Sequence, residues 1–239
     1  LEWLETNRFE INNSIATQVR ELSIWPTADR ELKPLCDLFL AGDFEDPLKL
    51  AKLVDIDSLG GGRDFLERVL NVAKLDFITY VKEWVPFIFN QRELNVGEKL
   101  QLIQILAENL GKLREYQDIR TAISELPIVW CGSEKFYPAN DVWFDSKDVK
   151  DILGPEIKIA HLPKEKSESI EELYIWLGVS EEPEPKDIVK RIRKTTESPP
   201  NPESIQLIGR MIDFVSSKWA YWSDEQKEQF GLLRNINWL

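Results

Sequence analysis

A predominantly helical α+β fold is what this sequence predicts, in two tandem units of about 105 residues. Each unit reads as a small antiparallel sheet or hairpin element followed by about three packed helices. Three observations lead there. The chain repeats itself: 104 residues separate Leu22 from Leu126 and Pro34 from Pro138, with no gap between. Short β-branched and aromatic runs follow each start of the repeat. Between capping signals, apolar residues then recur at steps of three and four.

The repeat is read from residues. Glu21-Leu22-Ser23-Ile24 returns as Glu125-Leu126-Pro127-Ile128, and Pro34, Asp37, Leu38 and Phe39 return as Pro138, Asp141, Val142 and Trp143. Residues 1–20 read as the end of a preceding repeat, 21–124 as unit 1, 125–234 as unit 2, and 235–239 as the start of a third. A chain of this form reads as part of something longer. Each unit follows a short helix, over 14–21 and 120–124. In unit 2, Ile128-Val129-Trp130, a turn at 131–134 and Lys135-Phe136-Tyr137 predict a hairpin. Val142-Trp143-Phe144 and the alternating run 157–162 predict further strands. Unit 1 offers Leu38-Phe39-Leu40 and Leu53-Val54-Asp55-Ile56.

Helices follow. Arg63 to Leu70 and Ser169 to Leu177 each carry one apolar face. Asn71 and Gly178 close them, the two residue types that accept a left-handed cap. The run 74–89, rich in aromatic and β-branched residues before Pro86, and 185–193 lie between the paired helices. Asn95 with Glu98 is a capping pair, predicting a helix from Val96 to about Gln117 striped by Leu100, Ile103, Leu106, Leu110 and Leu113. Asn201 and Pro202 open its counterpart, with Ile205, Ile208, Ile212, Val215, Trp219 and Trp222 as the stripe. That spacing predicts Trp219 buried in its own unit. Ser223 with Gln226 caps a shorter helix.

Composition narrows the function. At 43% hydrophobic and 30% charged the chain has a soluble balance, and nine Trp supply core. A net charge of −12 opposes phosphate backbones, so no nucleic acid contact is expected. The one basic cluster, Lys190, Arg191, Arg193 and Lys194, suits the end of a helix starting near Lys186. The acidic runs 165–172 and 181–184 read as solvated surface. Cys36 and Cys131 fall at different places of the repeat and form no framework, which points to a reducing, cytoplasmic setting. Asn12-Asn13-Ser14 has the form of a glycosylation acceptor, a motif without meaning in that setting. No apolar run is long enough to span a membrane, and no signal peptide opens the chain.

Few residues offer chemistry. His161 is the only histidine and has no counterpart in unit 1. A catalytic triad would need it, and no nucleophile motif stands beside it. Gly60-Gly61-Gly62 before Arg63 is a glycine-rich loop, but it lacks the Gly-Lys-Ser/Thr ending of a P-loop and is flanked by Asp57 and Asp64. No catalytic, cofactor-binding or metal residue is therefore assigned, and no cofactor is expected.

The repeated motifs carry a resemblance. Glu125 to Ile128 with Phe136-Tyr137-Pro138-Ala139 resembles the repeat regions of sacsin-like proteins, and large bacterial proteins that place a sacsin-type ATPase module ahead of such repeats are closer still. Ile24 to Thr27, Leu32 to Leu35, Phe39-Leu40, Gly42 to Pro47, Leu53 to Ile56, and Phe65-Leu66 through Trp84 share it. The resemblance implies a non-catalytic segment of a chaperone-related machine. The ATPase of that family belongs to the gyrase, histidine-kinase and heat-shock chaperone class. Its ATP-binding asparagine helix and glycine-rich lid have no match here. The expected role is protein interaction, with other proteins or other domains of the same chain as partners. Two alternatives are a sensing or regulatory segment of a bacterial stress or phage-defence protein, and a small stand-alone enzyme.

Overall fold

Proline and capping residues set the elements of this chain in order. The computed structural model describes residues 6, 11–91, 94–164 and 167–233, and contacts divide the chain into two bodies, Leu1–Leu94 and Asn95–Leu239. The fold is α+β and mostly helical. No described helix is long and apolar enough to cross a membrane. Residues 234–239, which hold the expected start of a third copy (235–239), lie outside the described residues, as do 1–5 and 7–10.

In the first body, helix α1 (Asn13–Glu21) starts where the Asn12 side chain accepts the Ile15 amide at 3.0 Å. Strand β1 (Trp25–Pro26) pairs antiparallel with β2 (Leu32–Lys33). Pro34 turns the chain into a 3-10 turn at Leu35–Asp37, which feeds β3 (Leu38–Ala41). This strand is the centre of a parallel sheet, flanked by β4 (Lys52–Leu53) and β5 (Lys74–Leu75). Helix α2 (Arg63–Arg68) lies between those flanks in sequence, as a parallel connection requires. Leu38 and Leu40 point into a core with Trp25, Leu35, Val54, Phe65, Leu66 and Leu70. The buried Asp46 carboxylate pins the 42–51 loop by accepting the amides of Leu48, Leu50 and Ala51. Asp76 then caps α3 (Phe77–Thr79). A π turn at Tyr80–Trp84 leads into α4 (Val85–Gln91), and it stands where Pro86 removes a helical donor.

The second body opens on α5 (Val96–Glu108), whose Asn95–Glu98 capping box is formed in both directions. The helix does not run on to Gln117. Asn109 breaks it, leaving the helical region and turning its side-chain amide back onto the Ile105 carbonyl at 3.0 Å. Helices α6 (Leu110–Leu113) and α7 (Gln117–Ser124) follow as separate pieces. Strands β6 (Val129–Trp130) and β7 (Phe136–Tyr137) form the expected antiparallel hairpin, with Gly132 and Ser133 at positive φ in its turn. The strand expected over 142–144 is reduced to parallel bridges from Trp143 to Ile159 and Ser180, and the 157–162 run is held by that bridge and by backbone bonds of Lys158, Ala160 and His161. After a 3-10 turn at Ala139–Asp141 come α8 (Lys147–Leu153), α9 (Ser167–Leu177), α10 (Pro185–Thr196) and α11 (Pro202–Lys218). The described residues go on through a 3-10 turn at Trp219–Tyr221, α12 (Asp224–Glu228) and a 3-10 turn at Gln229–Leu233.

Described separately, the two bodies contain matching backbone hydrogen bonds. Ile24 donates to Leu22 at 2.9 Å, and Ile128 to Leu126 at 2.8 Å. Thr27 donates to Glu31 at 2.9 Å, and Cys131 to Lys135 at 2.8 Å. Asp37 donates to Pro34 at 3.1 Å, and Asp141 to Pro138 at 3.0 Å. Further on, Asp55 to Pro26 is matched by His161 to Trp130, both 2.8 Å. Leu40 to Ala73 is matched by Phe144 to Ser180. Both helix caps take positive φ, Asn71 at 49° and Gly178 at 108°. Helix α8 stands where the first body has the loop held by Asp46. The helices over 96–124, which the sequence period assigns to the end of unit 1, lie in the second compact body.

Candidate interaction surface

Among the C-terminal helices, α11 carries two apolar rows, one buried and one about half exposed. Helix α11 begins with Asn201 and Ser204 bonded reciprocally and Pro202 in the first turn. Met211 and Phe214 enter a core with Val149, Ile152, Ile188, Val189 and Ile192, contributed by α8 and α10, and Leu207 packs at its edge. The second row, Ile205, Ile212 and Trp219, advances by two turns at a time and faces outward. Ile212 is 51% exposed and Trp219 43%. Trp219 is therefore not the core residue its spacing predicted. Helix α11 has apolar residues on both sides, and α8 and α10 cover the side of Met211 and Phe214.

An aromatic group fixes the end of this row. The Trp222 and Phe230 rings stack at 5.4 Å and 19°. Trp219 sits against both, at 6.4 and 5.8 Å between centroids. Lys227 places its ammonium 6.0 Å from the Trp219 ring centre. Ile192, Ile212, Val215, Trp219, Phe230 and Leu233 line an apolar groove of about 340 Å³ here. Lys218, which ends the helix, pairs with Glu182 at 2.6 Å beside the Phe214 ring. An apolar groove with ordered aromatic walls and a polar margin has the make-up of a protein-contact patch.

The residues that could have carried chemistry stand elsewhere. His161 is exposed, edge-on to Trp130 at 5.6 Å, and an added Cβ on Gly132 would come within 2.9 Å of its ring. Burial pushes the Cys131 thiol up to about 11, the opposite of what a nucleophile needs. Gly60, Gly61 and Gly62 all take positive φ, but the Gly60 and Gly61 amides already donate to Asp57 and Ile56. They form a turn into a six-residue helix. Among the described residues no three His, Cys, Asp or Glu gather as a metal-binding group.

The basic cluster lies on α10, with Arg193 and Lys194 in its last turn. Arg193 donates to the Leu232 carbonyl at 3.2 Å, and Lys194 pairs with Glu156 at 3.1 Å. A mixed-charge cleft of about 550 Å³ lies beside Arg191, Lys150 and Arg210, with Asp151, Glu156 and Glu203 on its walls. Its charges nearly balance. In the first body, a pocket of about 490 Å³ is lined by Asp29, Asp43, Glu45, Asp46, Lys49 and Lys52 among apolar neighbours. No protein-family model, curated protein or solved structure matches this chain.

The outward row was legible in part. Leu207, Met211 and Phe214 form a second helical series beside Ile205, Ile212 and Trp219. Two apolar series on one helix point to different sides, so α8 and α10 can cover only one of them.

Proposed function

We propose that this chain is a non-catalytic protein-interaction segment, built from one module used twice, in a cytoplasmic protein. The observation that carries the reading is the outward row of α11, where Ile212 and Trp219 are held open beside a preformed aromatic groove. The matched hydrogen bonds of the two bodies support the repeated module, and stacked modules give extended contact surfaces. The resemblance to sacsin-like repeat regions extends the proposal: the segment serves a large chaperone-related ATPase protein whose nucleotide chemistry lies in another domain.

A photo-crosslinking amino acid at Ile212, in the chain produced in its native cells, tests this. Defined protein adducts are expected at Ile212 and not at the exposed polar control position Glu225. Equal yields at the two positions, or no adduct at either, would overturn the reading.

A further inference from the structure

We infer that the second body binds a small organic carboxylate: a cleft of about 230 Å³ beside α10 takes a monoanion with an apolar body, its carboxylate on Arg191. The site is separate from the outward row of α11 and goes beyond the interaction reading. Its polar wall is one face of α10. Asp187, Lys190, Arg191 and Lys194 follow at steps of three, one and three, so all four turn the same way on the helix and line the cleft. Trp143, Leu153 and Ile157 form the apolar side. Trp143 donates its amide to the Lys158 carbonyl at 3.0 Å and accepts the Ala160 amide at 2.8 Å, so it runs alongside this segment. Its indole is half-buried. Phe39, the counterpart of Trp143 in the first body, meets the Trp84 ring at 6.0 Å, whereas no described aromatic ring packs on Trp143.

Arg191 is the group that the fold leaves unused. A guanidinium carries five donors. The Arg191 Nε is buried without a partner, and among the described residues no carboxylate or carbonyl pairs with this side chain. The chain nevertheless makes room for it. Gly154 closes α8 at φ 88°, and a Cβ there would stand 2.7 Å from Arg191 Nη2. The carboxylates around it are engaged elsewhere. Asp141 pairs with Lys158 at 3.3 Å, and Asp187 accepts the Glu184 amide at 3.3 Å. Glu156 is held below the usual carboxylate range first by Lys194, its partner at 3.1 Å, and then by the more distant Arg191. Lys190 and Arg191 are therefore the uncompensated charges of the cleft, in a chain of net charge −12. Four cations face three carboxylates, an excess that suits one negative charge. A dianionic phosphate would meet the same three carboxylates with twice the repulsion. A carboxylate fits the guanidinium fork, and the apolar side takes a flat or branched body.

Titration of the whole nitrogen-labelled chain with phenylacetate, followed by NMR through its backbone and indole N–H signals, tests this. Saturable binding in the low millimolar range is expected for a ligand this small. The Trp143 indole signal, identified by its loss in Trp143→Phe, should be among those that shift. Phenylacetamide, which lacks the charge, and acetate, which lacks the ring, should each bind at least about tenfold more weakly. Arg191→Met keeps the length of the side chain and removes the fork, so it should keep the parent circular dichroism and weaken phenylacetate binding at least about tenfold. Arg210 lines only the neighbouring cleft of about 550 Å³, so Arg210→Met should leave the affinity within about twofold. No saturation, equal binding of phenylacetamide or acetate, tighter binding of phenyl phosphate, an unmoved Trp143 signal, full affinity in Arg191→Met or an equal loss in Arg210→Met would overturn the inference. Should Arg191→Met fail to fold, the comparison of the four ligands on the parent chain decides.

Discussion

The phenol oxygen of Tyr174 accepts the backbone N–H of Trp130 at 3.1 Å, tying the middle of α9 to the β6 strand. Tyr174 is fully buried, and that burial raises its phenol well above the ordinary tyrosine range. It therefore stays neutral. Tyr174→Phe removes the acceptor and leaves the Trp130 amide unpaired inside the protein. A loss of about 1–3 kcal/mol is expected in a urea titration. A midpoint equal to the parent would show that the amide finds another acceptor.

The two helix caps give a paired test. Gly178 holds φ 108°, a conformation an L side chain adopts only with strain, although an added Cβ would meet nothing closer than Asn140 at 3.5 Å. Gly178→Ala should therefore destabilise through the backbone, by about 1–2 kcal/mol. Asn71→Gly, at φ 49°, should change stability by less than about 0.5 kcal/mol. Chemical denaturation of both variants checks the contrast, and equal effects would contradict it.

Thiol reactivity reports the environment around Cys131. With its thiol pushed up to about 11 by burial, only about one in a thousand Cys131 side chains is thiolate at pH 8. The Cys36 thiol is also raised, by burial and then by Asp37, but it is exposed. Iodoacetamide at pH 8 is expected to alkylate Cys36 at least about tenfold faster than Cys131, read by peptide mass spectrometry. Faster labelling of Cys131 would point to an activated thiol and reopen a catalytic reading.

Much of the fold was legible because its signals are local. The capping pairs Asn95–Glu98 and Ser223–Gln226, the Asn201–Pro202 start, the hairpin over 129–137 and the positive φ of Asn71 and Gly178 all follow from residue chemistry within a few positions. What was not legible depends on distant packing. The parallel pairing of β3 with β4 and β5 is set by how the 42–51 loop and then α2 return the chain, not by the strand residues. Helix α5 ends where the Asn109 backbone leaves the helical region, inside a run whose apolar spacing never faltered. Trp219 shows the same limit at the candidate site. Its spacing marks a face, and only the placement of α8 and α10 on the Met211 side decides which face is covered.

Paired denaturant titrations of Phe214→Ala and Trp219→Ala test the central claim most directly. Phe214 is buried against α8 and α10, so its truncation should cost about 3–5 kcal/mol. Trp219 keeps 43% of its surface exposed, so its truncation should cost less, about 2 kcal/mol. That difference is the signature of a helix that buries one apolar row and offers the other. A loss for Trp219→Ala as large as that for Phe214→Ala would place the tryptophan in the core and contradict an interaction surface on α11.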